Sequence, residues 1–191
     1  MNRRYVLKRR AERQEETRRR ILEATVELHR TVGPAATTFS AIAALAGVQR
    51  HTVYSHFPDQ DALVKACSTH FLSLNPPPDP ALWLAISDPR RRLQHALAEL
   101  FAYYEANEEM IGQVLRDSEK VPVGGGFKRL QIAAVQALEE GWDRPAEDGS
   151  PLLPALRLAT SFACWRTLVR DAGLRSDRAV ELMAALVTCA V

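Results

Sequence analysis

The sequence predicts an all-α protein of two domains, with about nine helices over its 191 residues. Three observations lead there. Apolar residues recur at three- and four-residue spacing along most of the chain, the period of a helix with one buried face. Residues that start helices, Thr38, Asp59 and Asp88, stand just before such runs, and breakers, Gly33-Pro34, Gly47 and Pro58, stand just after them. The run Asn75-Pro76-Pro77-Pro78-Asp79-Pro80 interrupts the pattern where no helix can continue, and so marks a domain boundary.

In chain order, residues 1–20 hold nine Arg/Lys against three Glu, and their early part has too few apolar side chains to pack. Residues 1–13 are therefore expected to form a basic flexible arm, suited to following phosphates or entering a minor groove, and equally to acting as a solubilising tail. From 14 to 32, Ile21, Thr25, Leu28 and Val32 line one helical face. Two short helices follow, and Asp59 caps a fourth running through Leu63, Val64, Cys67, Phe71 and Leu74. Ile21, Leu28, Ile42, Leu45, Val53, Phe57 and Leu63 are the expected core of a domain spanning 14–75.

Residues 76–191 are assigned to a second domain. It opens with a short apolar segment at 81–86, then a helix begun by Asp88 with Pro89 in its first turn and ending near Asn107. Further helices are expected over 108–119, 127–142, 152–174 and 177–189, with loops at 121–126 and 143–151. The last helix is apolar over much of its surface and needs a cover.

The chemistry is concentrated between Thr37 and Phe57. Thr38 is a good N-cap, and Gly47 supplies the positive φ that ends one helix so that another can begin. In the second helix Val48, Val53 and Phe57 are apolar, whereas Gln49, Arg50, His51, Thr52, Tyr54, Ser55 and His56 are polar or amphipathic. That is more hydrogen-bonding capacity than a short helix needs to fold. It is what a recognition helix needs in a major groove: Arg for guanine, Gln for adenine, hydroxyls and imidazole for phosphate. Charge agrees: residues 1–66 hold 12 Lys/Arg and 7 Asp/Glu, while the rest hold 13 and 16.

The strings Gly47-Val48, Thr52-Val53-Tyr54, His56-Phe57-Pro58-Asp59 and Ala62-Leu63 closely resemble the N-terminal domain of the tetracycline-repressor (TetR) family of bacterial regulators. The resemblance runs from about Thr17 to Phe71; beyond it, the likeness rests on helix count and length. It implies a helix-turn-helix DNA-binding domain followed by a C-terminal helical domain for effector binding and dimerisation. The implied function is sequence-specific transcription regulation, by a repressor released from a palindromic double-stranded DNA operator by a small ligand; the absence of a run of buried-type charges argues for an apolar or aromatic one. The implied assembly is a homodimer through the last two helices. The resemblance places Thr38 and Ser40 near phosphate, Gln49, Arg50 and His51 at bases, and Thr52, Tyr54 and His56 at phosphates. Two departures stand out. Position 49 often carries a capping Ser or Thr in the family, and position 60 usually carries Lys; here they are Gln49 and Gln60.

For the effector, Trp83, Phe101, Tyr104, Met110, Leu115, Phe127 and Trp142 are the candidate cavity lining, with Tyr103, Gln113 or Arg116 as polar anchors. The competing reading is that these side chains simply fill a core. Other classes find little support. No apolar run approaches the ~20 residues that span a bilayer, and no signal peptide follows the basic N-terminus. Cys67, Cys164 and Cys189 are scattered and fit a reducing cytoplasm. Gly124-Gly125-Gly126-Phe127-Lys128 lacks the spacing of a phosphate loop, and the five His show no paired metal spacing, so no cofactor is expected. An enzyme would need a nucleophile and base that the sequence does not offer. A helical ligand-binding or scaffold protein that kept the fold but lost DNA binding remains the alternative, supported by Gln60 alone.

Overall fold

The computed structural model describes residues 3–121, 123–142 and 150–190, and all regular structure among them is helical. The chain forms two compact units: residues up to Pro76 together with Glu109–Gly124, and Pro77–Glu108 together with the residues from Gly125 onward. The first is thus discontinuous, and it takes in a stretch that the sequence assigned to the C-terminal domain.

The first unit contains α1 (Arg3–Thr31), a 3₁₀ turn (Pro34–Ala36), α2 (Phe39–Ala46), α3 (Arg50–His56), α4 (Gln60–Leu74) and nearly all of α7 (Glu108–Asp117). α1 begins at Arg3, not near Gln14, so the expected arm is helical backbone. Its residues are strong helix formers, and Lys8 and Glu12 pair one turn apart at 3.9 Å, so the helix forms although residues 7–16 are exposed. Further along, α1 packs across α2 and α4, and α2 across α3. Ile21, Leu22, Ala24, Ile42, Ala43, Ala46, Val53, Phe57, Leu63 and Cys67 form the core, with Leu28 partly buried against it. Leu45, expected in that core, is 53% exposed, because Ile42, Ala43 and Ala46 already occupy the inner face of so short a helix.

α7 closes the far end of α1. Gln113 Nε2 donates to the Thr31 carbonyl and Arg116 Nη2 to that of Val32, each at 3.1 Å. Asp117 accepts from the Ala35 N–H at 2.9 Å, and Arg30 pairs with Glu109. These contacts satisfy carbonyls that a helix end leaves bare. They also correct an expectation: Gln113 and Arg116 are committed to backbone rather than poised as effector anchors.

The second unit contains α5 (Pro80–Trp83), α6 (Pro89–Ala106), α8 (Gly125–Glu139), α9 (Leu152–Ala159), α10 (Phe162–Arg166), a π-helical turn (Thr167–Asp171) and α11 (Ser176–Cys189). α6 is its axis, contacting α5, α8, α10 and α11 and burying Leu93, Leu97, Leu100, Phe101 and Tyr104 completely. Arg92 is buried with them, its guanidinium donating to the carbonyls of Ile86, Ala137 and Glu140 at 2.8–3.1 Å. α11 buries Ala179, Met183, Ala184 and Val187, and leaves Leu182 and Leu186 exposed.

Among the described residues eleven α-helices stand where about nine were expected. One addition is α5. The other arises because the helix predicted over 152–174 is broken: the Ser161 side chain caps a new start by accepting from the Cys164 N–H at 3.1 Å. α8 starts at Gly125, inside the stretch expected to be a loop. Residue 122 of that loop and residues 143–149 of the next lie outside the described residues. Among the described residues no helix is long and apolar enough to cross a membrane.

Candidate nucleic-acid interface

The interface is built around the turn between α2 and α3. The Thr38 side chain accepts from the Ala41 N–H at 3.1 Å and starts α2. Gly47 ends it at φ 64°, in the left-handed region, and the Val48 N–H reaches back to the Ala43 carbonyl at 3.0 Å. Arg20 holds the turn from α1, donating to the carbonyls of Ala46 (Nε, 3.1 Å) and Gly47 (Nη2, 3.0 Å). Asp59 then caps α4 by accepting from the Ala62 N–H at 2.8 Å.

Val53 and Phe57 anchor α3 in the core, which turns the rest of the helix outward. Gln49, Arg50, His51 and Tyr54 are exposed, and Thr52 and His56 half-buried. Thr38 and Ser40 are exposed at the start of α2. All eight residues singled out in the sequence thus sit on this two-helix element. Gln49 occupies the N-cap position in extended backbone, and its side chain makes no capping bond. Tyr54 stacks on Phe39 of α2, with ring centroids 4.6 Å apart and planes 11° from parallel. Arg50 Nη2 donates to the Tyr54 hydroxyl at 3.2 Å. Behind the helix, the Arg18 guanidinium lies 5.0 Å from the centre of the Phe57 ring.

Two titratable groups of this unit, His29 and Cys67, are buried. Burial pulls His29 down to about 4 against the charge of Asp117, and pushes Cys67 up to about 12. Their Nδ1 and Sγ atoms lie 3.7 Å apart. Among the described residues no cluster of His, Cys, Asp and Glu could hold a metal ion.

Residues 21–67 match the family model of bacterial regulatory proteins of the tetR family. This stretch of the chain is a TetR-type N-terminal domain. Proteins of this family are DNA-binding transcriptional regulators, and the fold agrees. A TetR-like transcriptional regulator from Rhodococcus sp. RHA1 superposes with a TM-score of 0.59 at 20% identity, over 90% of this chain and 93% of that one. NalD, the secondary repressor of the MexAB-OprM multidrug efflux pump in Pseudomonas aeruginosa, superposes with a TM-score of 0.60 at 22% identity, over 94% and 97%. No curated protein matches the sequence.

Beyond the TetR-type domain, the residues expected around an effector divide between the units. Trp83, Phe101, Tyr104, Phe127 and Trp142 belong to the second, Met110 and Leu115 to the first. Met110 is buried and Leu115 exposed. Trp83 is fully buried and spends its indole N–H on Glu99 at 2.6 Å. Half-buried Trp142 donates to the Leu138 carbonyl. The structure gathers Tyr104 with Phe101 and Phe127, at centroid distances of 6.4 and 5.8 Å. It adds Phe162 and Trp165 at 5.7 and 6.1 Å, which the sequence reading had left inside a dimerisation helix. Two residues that support the α2–α3 element were also missed. Arg20 was counted as arm charge, and Phe39 was passed over between two polar neighbours; its place one residue after an N-cap, on the helix before the polar one, was the available signal.

Proposed function

We propose that this chain is a ligand-responsive repressor that binds a palindromic operator as a homodimer and works in the cytoplasm. The observation that carries this is the outward polar face of α3, held by buried Val53 and Phe57. Gln49, Arg50 and His51 read base edges; Thr38, Ser40, Thr52, Tyr54 and His56 contact phosphate. The basic residues of α1 add affinity that does not depend on sequence. Dimerisation uses α9 and α11, which leave Leu158, Leu182 and Leu186 exposed.

The effector site lies around Tyr104, among Phe101, Phe127, Phe162 and Trp165. Its lining is aromatic, and the buried Trp165 indole N–H has no acceptor among the described residues. An apolar or aromatic molecule carrying one hydrogen-bond acceptor suits it. Such a ligand releases DNA only if it binds better to a conformation that does not fit the operator. Selection of bound sequences from a random DNA pool tests the reading. The expected result is an inverted repeat with half-site centres about 10 bp apart, or a multiple of that; failure to enrich any sequence overturns it.

A further inference from the structure

We infer that Phe39, which is not on α3, is a specificity-determining residue: it positions Arg50 through Tyr54. The inference rests on α3 being the DNA-reading helix.

Arg50 is exposed and long, and a freely swinging guanidinium reads a base edge poorly because binding must first immobilise it. Here it is held. Its Nη2 donates to the Tyr54 hydroxyl at 3.2 Å, one helical turn on, and its guanidinium carbon lies 5.5 Å from the centre of the Tyr54 ring. Tyr54 is itself 41% exposed, so on its own it would be a loose support. The near-parallel ring of Phe39, 4.6 Å away, removes that freedom. Phe39 in turn is partly buried against the core of the first unit and opens α2, whose start the Thr38 cap fixes. Order passes from the core through Phe39 and Tyr54 to Arg50.

The hydrogen bonding divides the work. The Tyr54 oxygen accepts from Arg50, so its own proton is free to be donated to a phosphate oxygen. Arg50 spends one N–H of five on Tyr54 and keeps the others for the O6 and N7 acceptors of guanine. A positioned arginine discriminates one base pair; an unpositioned one supplies only charge.

The test compares base preference with affinity. Phe39→Leu keeps an apolar contact with the core but loses the flat face, whereas Phe39→Tyr keeps both. Pool selection followed by titration on the selected and singly altered operators gives the discrimination at each base pair. Phe39→Leu is expected to lower discrimination at one base pair per half-site by roughly 5- to 20-fold, a part of what a bidentate arginine contributes. Binding to non-specific DNA and the melting temperature stay near wild type, and Phe39→Tyr restores the preference. In an Arg50→Ala background, Phe39→Leu adds nothing at that base pair, because both changes act through one side chain. Tyr54→Phe, which removes only a surface hydroxyl, lowers discrimination at the same base pair even if Phe39→Leu does not fold. Unchanged discrimination in Tyr54→Phe, an equal loss on specific and non-specific DNA in Phe39→Leu, or additive effects in the double variant would each overturn the inference. A wild-type protein that selects no sequence would instead remove the reading of α3 on which it rests.

Discussion

The guanidinium of Arg20 bridges the carbonyl oxygens of Ala46 and Gly47, the last residue of α2 and the glycine that turns the chain. One side chain from α1 thereby closes the helix end that sets the angle of α3. Arg20→Met keeps the aliphatic stem and removes the donors. We expect a loss of about 1–3 kcal/mol in urea unfolding, the range for charge-assisted bonds to carbonyls left bare, with operator affinity falling further than stability alone predicts. A variant as stable as wild type would show that water serves those carbonyls equally well.

Gly33 has φ 93°, and a Cβ there would meet the Arg116 guanidinium and lie 2.6 Å from Asp117 Oδ2. The neighbours cannot yield cheaply, since Arg116 and Asp117 are bound to the Val32 carbonyl and the Ala35 N–H. Gly33→Ala is expected to cost about 1–3 kcal/mol from backbone strain, plus the clamp it displaces. The drop in urea midpoint should shrink when Arg116→Ala is added, because part of the clash is then gone. Strict additivity of the two changes would place the strain elsewhere.

Acid sensitivity follows from His29. Its pKa is lowered to about 4 in the fold by burial, against about 6.5 in an unfolded chain. The unfolded state therefore takes up the proton first, and the neutral imidazole's contribution is complete above pH 6.5 and is lost as pH falls toward 4. The loss between pH 7 and 5 is about 2 kcal/mol by this linkage. Asp117, kept below the usual carboxylate range first by its hydrogen bond from Arg116, adds a further loss only at still lower pH. Unfolding of wild type and His29→Leu at pH 7 and pH 5 checks this: the variant's stability should change much less. Equal acid loss in both would assign the effect to other groups.

Leu182 and Leu186 on α11 are 41% and 54% exposed, one turn apart on a helix whose other face is packed. Leu186→Glu is expected to give a monomer by light scattering at micromolar concentration, with helix content intact, and to lose tight operator binding while keeping weak binding to half-sites. A variant that stays dimeric moves the interface to another surface.

Local rules carried most of the helix boundaries. Thr38, Gly47, Asp59 and Asp88 act as caps and stops as the sequence indicated, because each works on backbone groups within a few residues of itself. Long-range pairings were not legible. Nothing in the spacing of Gln113, Arg116 and Asp117 says that their partners are the Thr31 and Val32 carbonyls and the Ala35 N–H. Leu45 misled because hydrophobicity does not say which side of an eight-residue helix is inner. The continuous helix expected over 152–174 misled because Ser161 can face inward along a helix or cap a new one, and only the packing decides.

Because Glu109–Gly124 belongs to the first unit, that unit is incomplete until the ribosome has released the chain past residue 124, long after its helix-turn-helix has emerged. Until then Met110 and Ile111 have not arrived to fill their places, and the Ala35 N–H lacks its carboxylate. Vectorial synthesis thus leaves the nascent first unit unfinished for the time needed to make α5 and α6. Anyone grafting the helix-turn-helix unit onto another protein inherits the same requirement: a cut at the proline run would leave it without its last helix.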